Sequence, residues 1–129
     1  MRSVFFYINA TKAECISQIE IHYKTGAHGW INDTETIYID FWNGYDQELE
    51  YETWQMLNDK LGENKFTCVM ADISGRIPGD MEVSLFADHM LGKFNGLAQD
   101  DYSDDLWTYE EIKHRKIKSG YYFFDYSRR

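Results

Sequence analysis

Six carboxylates lie within the twelve residues 100–111, namely Asp100, Asp101, Asp104, Asp105, Glu110 and Glu111. Carboxylates at this density can bind a divalent cation, act as general acid and base, or present negative charge to a cationic partner. They can also form a solvated turn whose last acids favour the start of a following helix by about 0.3–1 kcal/mol each. These four interpretations make different demands on the rest of the chain.

A calcium loop of the EF-hand type fits in neither register. A loop that starts at Asp101 would have Leu106 where a glycine is required and Ile112 where the closing glutamate is required. A loop that starts at Asp100 would have Tyr102 at the third ligand position. The sequence therefore predicts no metal site in this segment.

An enzyme would need further groups brought to the acids. Asp100 and Asp101 together with Asp72 could form the centre of a small metal-dependent hydrolase, which is one alternative function. The chain contains no GxSxG, GxxxxGK[ST] or HExxH motif. Its histidines lie in four separate segments, at His22, His28, His89 and His114. We therefore predict that the protein is not an enzyme and uses no cofactor.

A recognition surface would use the aromatic residues as well as the acids. Tyr102 and Trp107 can supply apolar contact area while the flanking carboxylates meet Lys and Arg on a partner. Acidic and aromatic residues are mixed in the same way in residues 45–54. The candidate contact residues there are Glu48, Glu50, Tyr51 and Trp54. The two acidic-aromatic segments together predict the partner-binding surface.

The charge of the chain indicates what kind of partner to expect. The net charge is −9, and residues 113–129 hold six basic residues against Asp125 alone, which leaves −14 on residues 1–112. Such a body repels nucleic acid and anionic lipid and attracts cationic proteins. We expect a cationic protein partner, with no nucleic-acid or membrane partner.

The apolar run at Val4–Ile8 is too short for a signal peptide, so a cytoplasmic location is expected.

The 129 residues predict a single acidic α+β domain that ends in a short basic, aromatic segment, 113–129. Strands are predicted at 4–8, 36–42 and 66–73, with 97–99 as a short candidate and 121–126 as a final strand or an aromatic strap. Two S/T-x-x-E capping boxes, Thr11–Glu14 and Thr108–Glu111, predict helix starts, and further helices are expected at 46–61 and after Asp80. The prediction is a mixed or largely antiparallel sheet of about four to five strands, with three to four helices mainly on one face.

The segment from Phe94 to Ile112, FNGLAQDDYSDDLWTYEEI, resembles a stretch found in the immunity proteins of bacterial polymorphic and contact-dependent toxins. The resemblance covers about a seventh of the chain. It implies a stoichiometric cytoplasmic inhibitor that neutralises a cognate toxin domain, usually a nuclease. The acidic charge is compatible with this function, because a nuclease cleft must be basic to attract phosphate. A phage-type nucleic-acid mimic that blocks a defence nuclease is the alternative within the class of binding proteins.

Overall fold

A computed structural model describes residues 2–42, 51–61, 66–103 and 105–125 of the chain. Within these residues it has six strands and four helices. They follow in the order β1 (Arg2–Ile8), α1 (Lys12–His22), β2 (Lys24–Gly26), β3 (Gly29–Ile31), β4 (Ile37–Phe41), α2 (Tyr51–Leu61), β5 (Thr67–Ile73), α3 (Asp80–Phe94), β6 (Gly96–Gln99) and α4 (Tyr109–Lys113). The α+β class is confirmed.

The strands form one sheet with the order β2-β3-β4-β5-β1-β6, in which every neighbouring pair is antiparallel. The predicted number of four to five strands is wrong, because β2 and β3 form a hairpin in residues 24–31, for which the sequence predicted no strand. Helix α1 ends at His22, and Tyr23 is already extended with φ −131° and ψ 144°.

Both predicted capping boxes are present. The Thr11 hydroxyl accepts a hydrogen bond from the Glu14 amide at 3.2 Å, and the Glu14 carboxylate accepts one from the Thr11 amide at 2.9 Å. Thr108 and Glu111 make the same pair of bonds at the start of α4. Each box satisfies two amides that have no partner within the helix.

The sequence predicted a helix after Asp80, and α3 begins one residue earlier. Asp80 is the first helical residue, and Gly79 is the cap, with φ +87° and no side-chain cap. A Cβ at position 79 would lie 2.4 Å from Ile73 Cγ2, so glycine is required for close packing as well as for the backbone angle.

Two apolar clusters lie on the two faces of the sheet. Alternate residues of β1, such as Val4 and Phe6, belong to the larger cluster, which is covered by α1, α3 and α4. We call this side the helical face. Tyr7 belongs to the smaller cluster, into which α2 buries Leu57. This second side is called the opposite face. Three of the four helices therefore lie on one face.

The predicted final segment is a strap and not a strand over its described part. Lys118 and Tyr121 form a single antiparallel bridge. Phe123 and Phe124 are then buried in the larger cluster. No helix among the described residues is long and apolar enough to cross a membrane.

Candidate recognition surface

The acidic segment 100–111 is divided between the interior and the surface. Asp100 is only 2% exposed. Its carboxylate accepts hydrogen bonds from the Phe124 amide at 2.8 Å and from the Tyr102 amide at 3.1 Å. The prediction that Asp100 belongs to the contact surface is therefore wrong. It ties the C-terminal strap to the end of β6.

The prediction that Trp107 belongs to the contact surface is also wrong, because its side chain is fully buried. Its backbone exchanges two hydrogen bonds with Ala98, at 2.8 and 2.9 Å, and so extends the sheet by one residue pair beside β6. The indole centroid lies 6.0 Å from the Phe123 ring, and the Lys118 ammonium lies 5.0 Å from the indole. The indole thus packs against Phe123 of the strap.

Glu111 and Glu110 pair with the basic C-terminal segment. Glu111 is 2.9 Å from the Lys118 ammonium and 3.3 Å from that of Lys116. Burial raises the pKa of Glu111, but the hydrogen bonds from Lys118 and from the Thr108 amide outweigh burial and lower the pKa to about 2. Glu110 is 72% exposed and lies 3.3 Å from His114. Part of the predicted acidic surface is therefore compensated within the chain.

The other predicted contact residues are distributed unevenly. Asp101 is exposed, whereas Tyr102 and Asp105 are half-buried, and the Tyr102 ring packs 5.7 Å from the ring of Phe124. Tyr51 and Trp54 belong to α2. Three further candidates lie outside the described residues: Glu48, Glu50 and Asp104.

The alternative hydrolase centre is split by the sheet. The Asp100 carboxylate binds the strap on the helical face, whereas the Asp72 carboxylate accepts a hydrogen bond from the Ser3 hydroxyl on the opposite face. Asp101 accepts a long hydrogen bond, 3.5 Å, from the Ser3 amide. The described part of the chain contains no group of three His, Cys, Asp or Glu side chains that could hold a metal ion.

A polar row crosses the opposite face at a right angle to the strands. Residues directly across an antiparallel pair share one face of the sheet. The register pairs Lys24 with Ile31, Ile31 with Tyr38, Tyr38 with Asp72, and Asp72 with Ser3. The row thus leads from a lysine on the edge strand, across an aliphatic and an aromatic residue, to the Asp72 carboxylate.

A cavity of about 680 Å³ lies beside this row, between the β2–β3 hairpin and the exposed part of β4 and β5. Its lining includes Tyr38, Asp40, Met70 and Asp72. In the register Asp40 lies directly across from Met70, so Asp40 shares the face of the row. We call this cavity the hairpin cleft.

The hairpin cleft exists because two glycines oppose each other where the hairpin turns. Gly26 pairs with Gly29 across β2 and β3, so neither residue places a side chain on the face of the sheet. Gly29 has φ +139°, and a Cβ there would lie 2.1 Å from the Ile39 carbonyl oxygen. Gly26 is different, because a Cβ there would meet Ile31 Cγ2 at an ordinary 3.6 Å. Position 29 requires glycine, whereas position 26 has room for a side chain.

The carboxylates of the hairpin cleft are only partly used by the fold. Asp40 Oδ1 accepts the Phe41 amide at 2.8 Å, and Asp72 Oδ1 accepts the Ser3 hydroxyl. The Oδ2 atoms of Asp40 and Asp72 accept no hydrogen bond from a residue that the structure describes. Ion pairs between described residues all involve Glu110 or Glu111, so these two aspartates keep their charge available to a ligand.

Two titratable groups that sequence analysis treated as separate are in contact. His22 at the end of α1 stacks on His89 of α3, with ring centroids 3.6 Å apart. Desolvation and the neighbouring His22 lower the pKa of His89. Cys15 and Cys68 are free and buried, and burial raises the pKa of Cys15 to about 11. None of these groups lines the hairpin cleft.

The hairpin cleft was missed because its parts come from four separate segments. The alternation of polar and apolar residues in β4 showed Tyr38 and Asp40 as polar positions. Asp72 is likewise a polar position between apolar residues of β5. The missing signal was the hairpin, whose two-residue loop, Ala27–His28, lacks the Asn-Gly or Asp-Gly pair that favours such turns.

Comparisons with protein-family models, curated proteins and solved structures found no match to the chain.

Proposed function

We propose that this protein is an immunity protein that binds a cognate toxin domain with a basic active site, of the nuclease class, and neutralises it. The observation that carries the proposal is the separation of charge over the described residues. In the basic C-terminal segment Lys116 and Lys118 pair with Glu111 and His114 lies beside Glu110, while Asp40, Asp72 and Asp101 make no ion pair with a described residue. This leaves a surface on the opposite face that suits a cationic partner.

Electrostatics then supplies a reason for the strongly acidic composition. Residues 1–112 carry a net charge of −14. Complementary potentials raise association rate constants from about 10⁵–10⁶ to as much as 10⁸–10⁹ M⁻¹s⁻¹ at low salt. An inhibitor of a toxic nuclease benefits from rapid capture, because each turnover before binding damages the cell.

The proposed contact surface is centred on the opposite face of the sheet. The segment 100–111 contributes the exposed Asp101 to this surface, without the buried Asp100 and Trp107. Helix α2, which begins at Tyr51, buries Leu57 on this same face.

Co-expression with the toxin domain encoded by the neighbouring upstream gene tests the proposal. We expect the wild-type protein to restore growth. Asp40→Asn combined with Asp72→Asn should weaken neutralisation at least tenfold, which corresponds to about 1.4 kcal/mol. Both substitutions retain the shape of the side chain and remove two negative charges.

The matched control is Glu82→Gln combined with Asp88→Asn, which removes the same charge from α3 on the helical side. We expect this control to protect cells as well as wild type does. Failure of the wild-type protein to protect cells at any expression ratio would refute the proposed function. Equal loss in the two double variants would show that net charge acts without a defined surface.

A further inference from the structure

We propose that the hairpin cleft is the binding site for an arginine side chain contributed by the cationic partner. This inference rests on the proposed function for the origin of the arginine, whereas the chemistry of the cleft can be tested without any toxin. The cleft would then be the centre of the contact surface, and the charges around it would guide the partner toward it.

The lining of the cleft suits a long side chain with a charged end. Its volume of about 680 Å³ is ample for an arginine side chain. Ile31 and Met70 offer apolar surface for the methylene groups of an arginine. Long cationic side chains bury such stems and leave the charged group at a polar end.

The charged end would find its partners at Asp40 and Asp72. Each of these aspartates has an Oδ2 that accepts no hydrogen bond from a described residue. A guanidinium presents several N–H donors in a flat fork and can bind a carboxylate through two bonds. Tyr38 stands directly across from Asp72, is 38% exposed and lines the same cavity. Its ring offers a flat cation the stacking surface that guanidinium groups favour.

The positive groups near the cleft do not cancel this preference. Lys24 also lines the cavity, but the carboxylates of Asp40 and Asp72 outnumber it there. Glu35 adds a third carboxylate to the lining, against His28 and Lys24. Arg76, outside the lining, donates to the Glu35 backbone carbonyl at 3.4 Å.

Gly26 allows the cavity to be narrowed without any change of charge. A side chain at position 26 meets no close contact and needs no positive φ. Gly26→Leu should therefore narrow the hairpin cleft on the side of the hairpin and leave the sheet intact. Thr25→Leu is the matched control, because Thr25 points to the other face, where it pairs with Trp30.

The first measurement is an NMR titration of the ¹⁵N-labelled protein with N-acetyl-arginine amide. We expect saturable shifts of the Gly26, Gly29 and Asp72 amides, with a midpoint in the range of roughly millimolar. The shifts should be lost in Gly26→Leu and in the double variant Asp40→Asn with Asp72→Asn, and kept in Thr25→Leu. Absence of saturable shifts, or unchanged shifts in Gly26→Leu, would overturn the inference. Equal affinity for N-acetyl-lysine amide would overturn the preference for a guanidinium.

The second measurement separates this inference from the proposed function. Toxin neutralisation by Gly26→Leu should fall at least tenfold, while Thr25→Leu should act like wild type. If Gly26→Leu folds and neutralises as well as wild type, the arginine site is refuted and the immunity function stands. If wild type neutralises no toxin but the cleft still binds the arginine probe, the proposed function is refuted and the chemistry of the cleft stands.

Discussion

Replacement of Asp100 by asparagine should destabilise the fold, although the sequence suggested a surface residue. The Asp100 carboxylate is buried and accepts two amide hydrogen bonds, from Tyr102 and from Phe124. An asparagine has one acceptor oxygen and one donor nitrogen in place of two acceptors. One of the two amides would therefore face another donor.

The expected loss is about 2 kcal/mol. A hydrogen bond to a charged group contributes about 1.5–3 kcal/mol, and a buried donor left without a partner costs about 1–3 kcal/mol. Phe124 has φ +51°, a backbone conformation that bulky side chains rarely adopt. The hydrogen bond from the Phe124 amide to Asp100 helps to hold that conformation. Loss of this hydrogen bond should therefore also allow the strap to relax.

Urea denaturation followed by tryptophan fluorescence measures this effect, because Trp107 packs beneath the strap. For a domain of this size, 2 kcal/mol corresponds to a fall in Tm of roughly 6–10 °C. Hydrogen exchange of the Phe124 amide should accelerate as well. Asp101→Asn is the matched control, since Asp101 is adjacent and exposed, and it should change stability by less than about 0.5 kcal/mol. If both variants unfold like wild type, Asp100 does not hold the strap.

Four further predictions concern the same surfaces. Asp101→Lys combined with Asp105→Lys should leave the melting temperature nearly unchanged and weaken toxin neutralisation at least tenfold; full protection by a folded variant would exclude these residues from the contact. The association rate, measured by stopped flow, should fall steeply between low salt and 0.15 M, whereas a flat profile would exclude electrostatic steering. Trp107→Ala should cost about 3–5 kcal/mol in a denaturation experiment, and an unchanged midpoint would contradict its place in the core. Glu111, whose pKa is lowered to about 2, stabilises the fold above the unfolded pKa of about 4.3, and this contribution is lost as pH falls toward 2. The Tm difference between wild type and Glu111→Gln should therefore be full above about pH 5 and narrow below it; a constant difference would contradict this assignment.

Local signals in the sequence predicted the elements that they directly control. The two capping boxes form because the residues that bond are only three positions apart, so no tertiary information is needed. Strands β1, β4 and β5 were predicted because their apolar residues either run together or alternate. The hairpin at β2 and β3 lacked both a favourable turn pair and an apolar pattern, and it depends on pairing with β4.

The candidate site was harder to predict, because exposure depends on the alternation of a strand that ends just before the acidic segment. Leu97 and Ala98 lie on opposite faces of β6. Continued alternation places Asp100 on the side of Ala98, in the interior, and Asp101 on the other side. A count of acidic residues treats the two aspartates alike, whereas the backbone gives them different roles. The pairing of Glu111 with Lys118 likewise depends on how the chain turns after α4.

A titration of the purified toxin domain with this protein tests the central proposal most directly. Toxin activity on nucleic acid should fall linearly as the protein is added and reach zero at one equivalent, as expected for a tight stoichiometric inhibitor. The Asp40→Asn and Asp72→Asn double variant should leave substantial activity at the same ratio, while the Glu82→Gln and Asp88→Asn control should match wild type. Toxin activity that persists at a large excess of the folded wild-type protein would contradict the account.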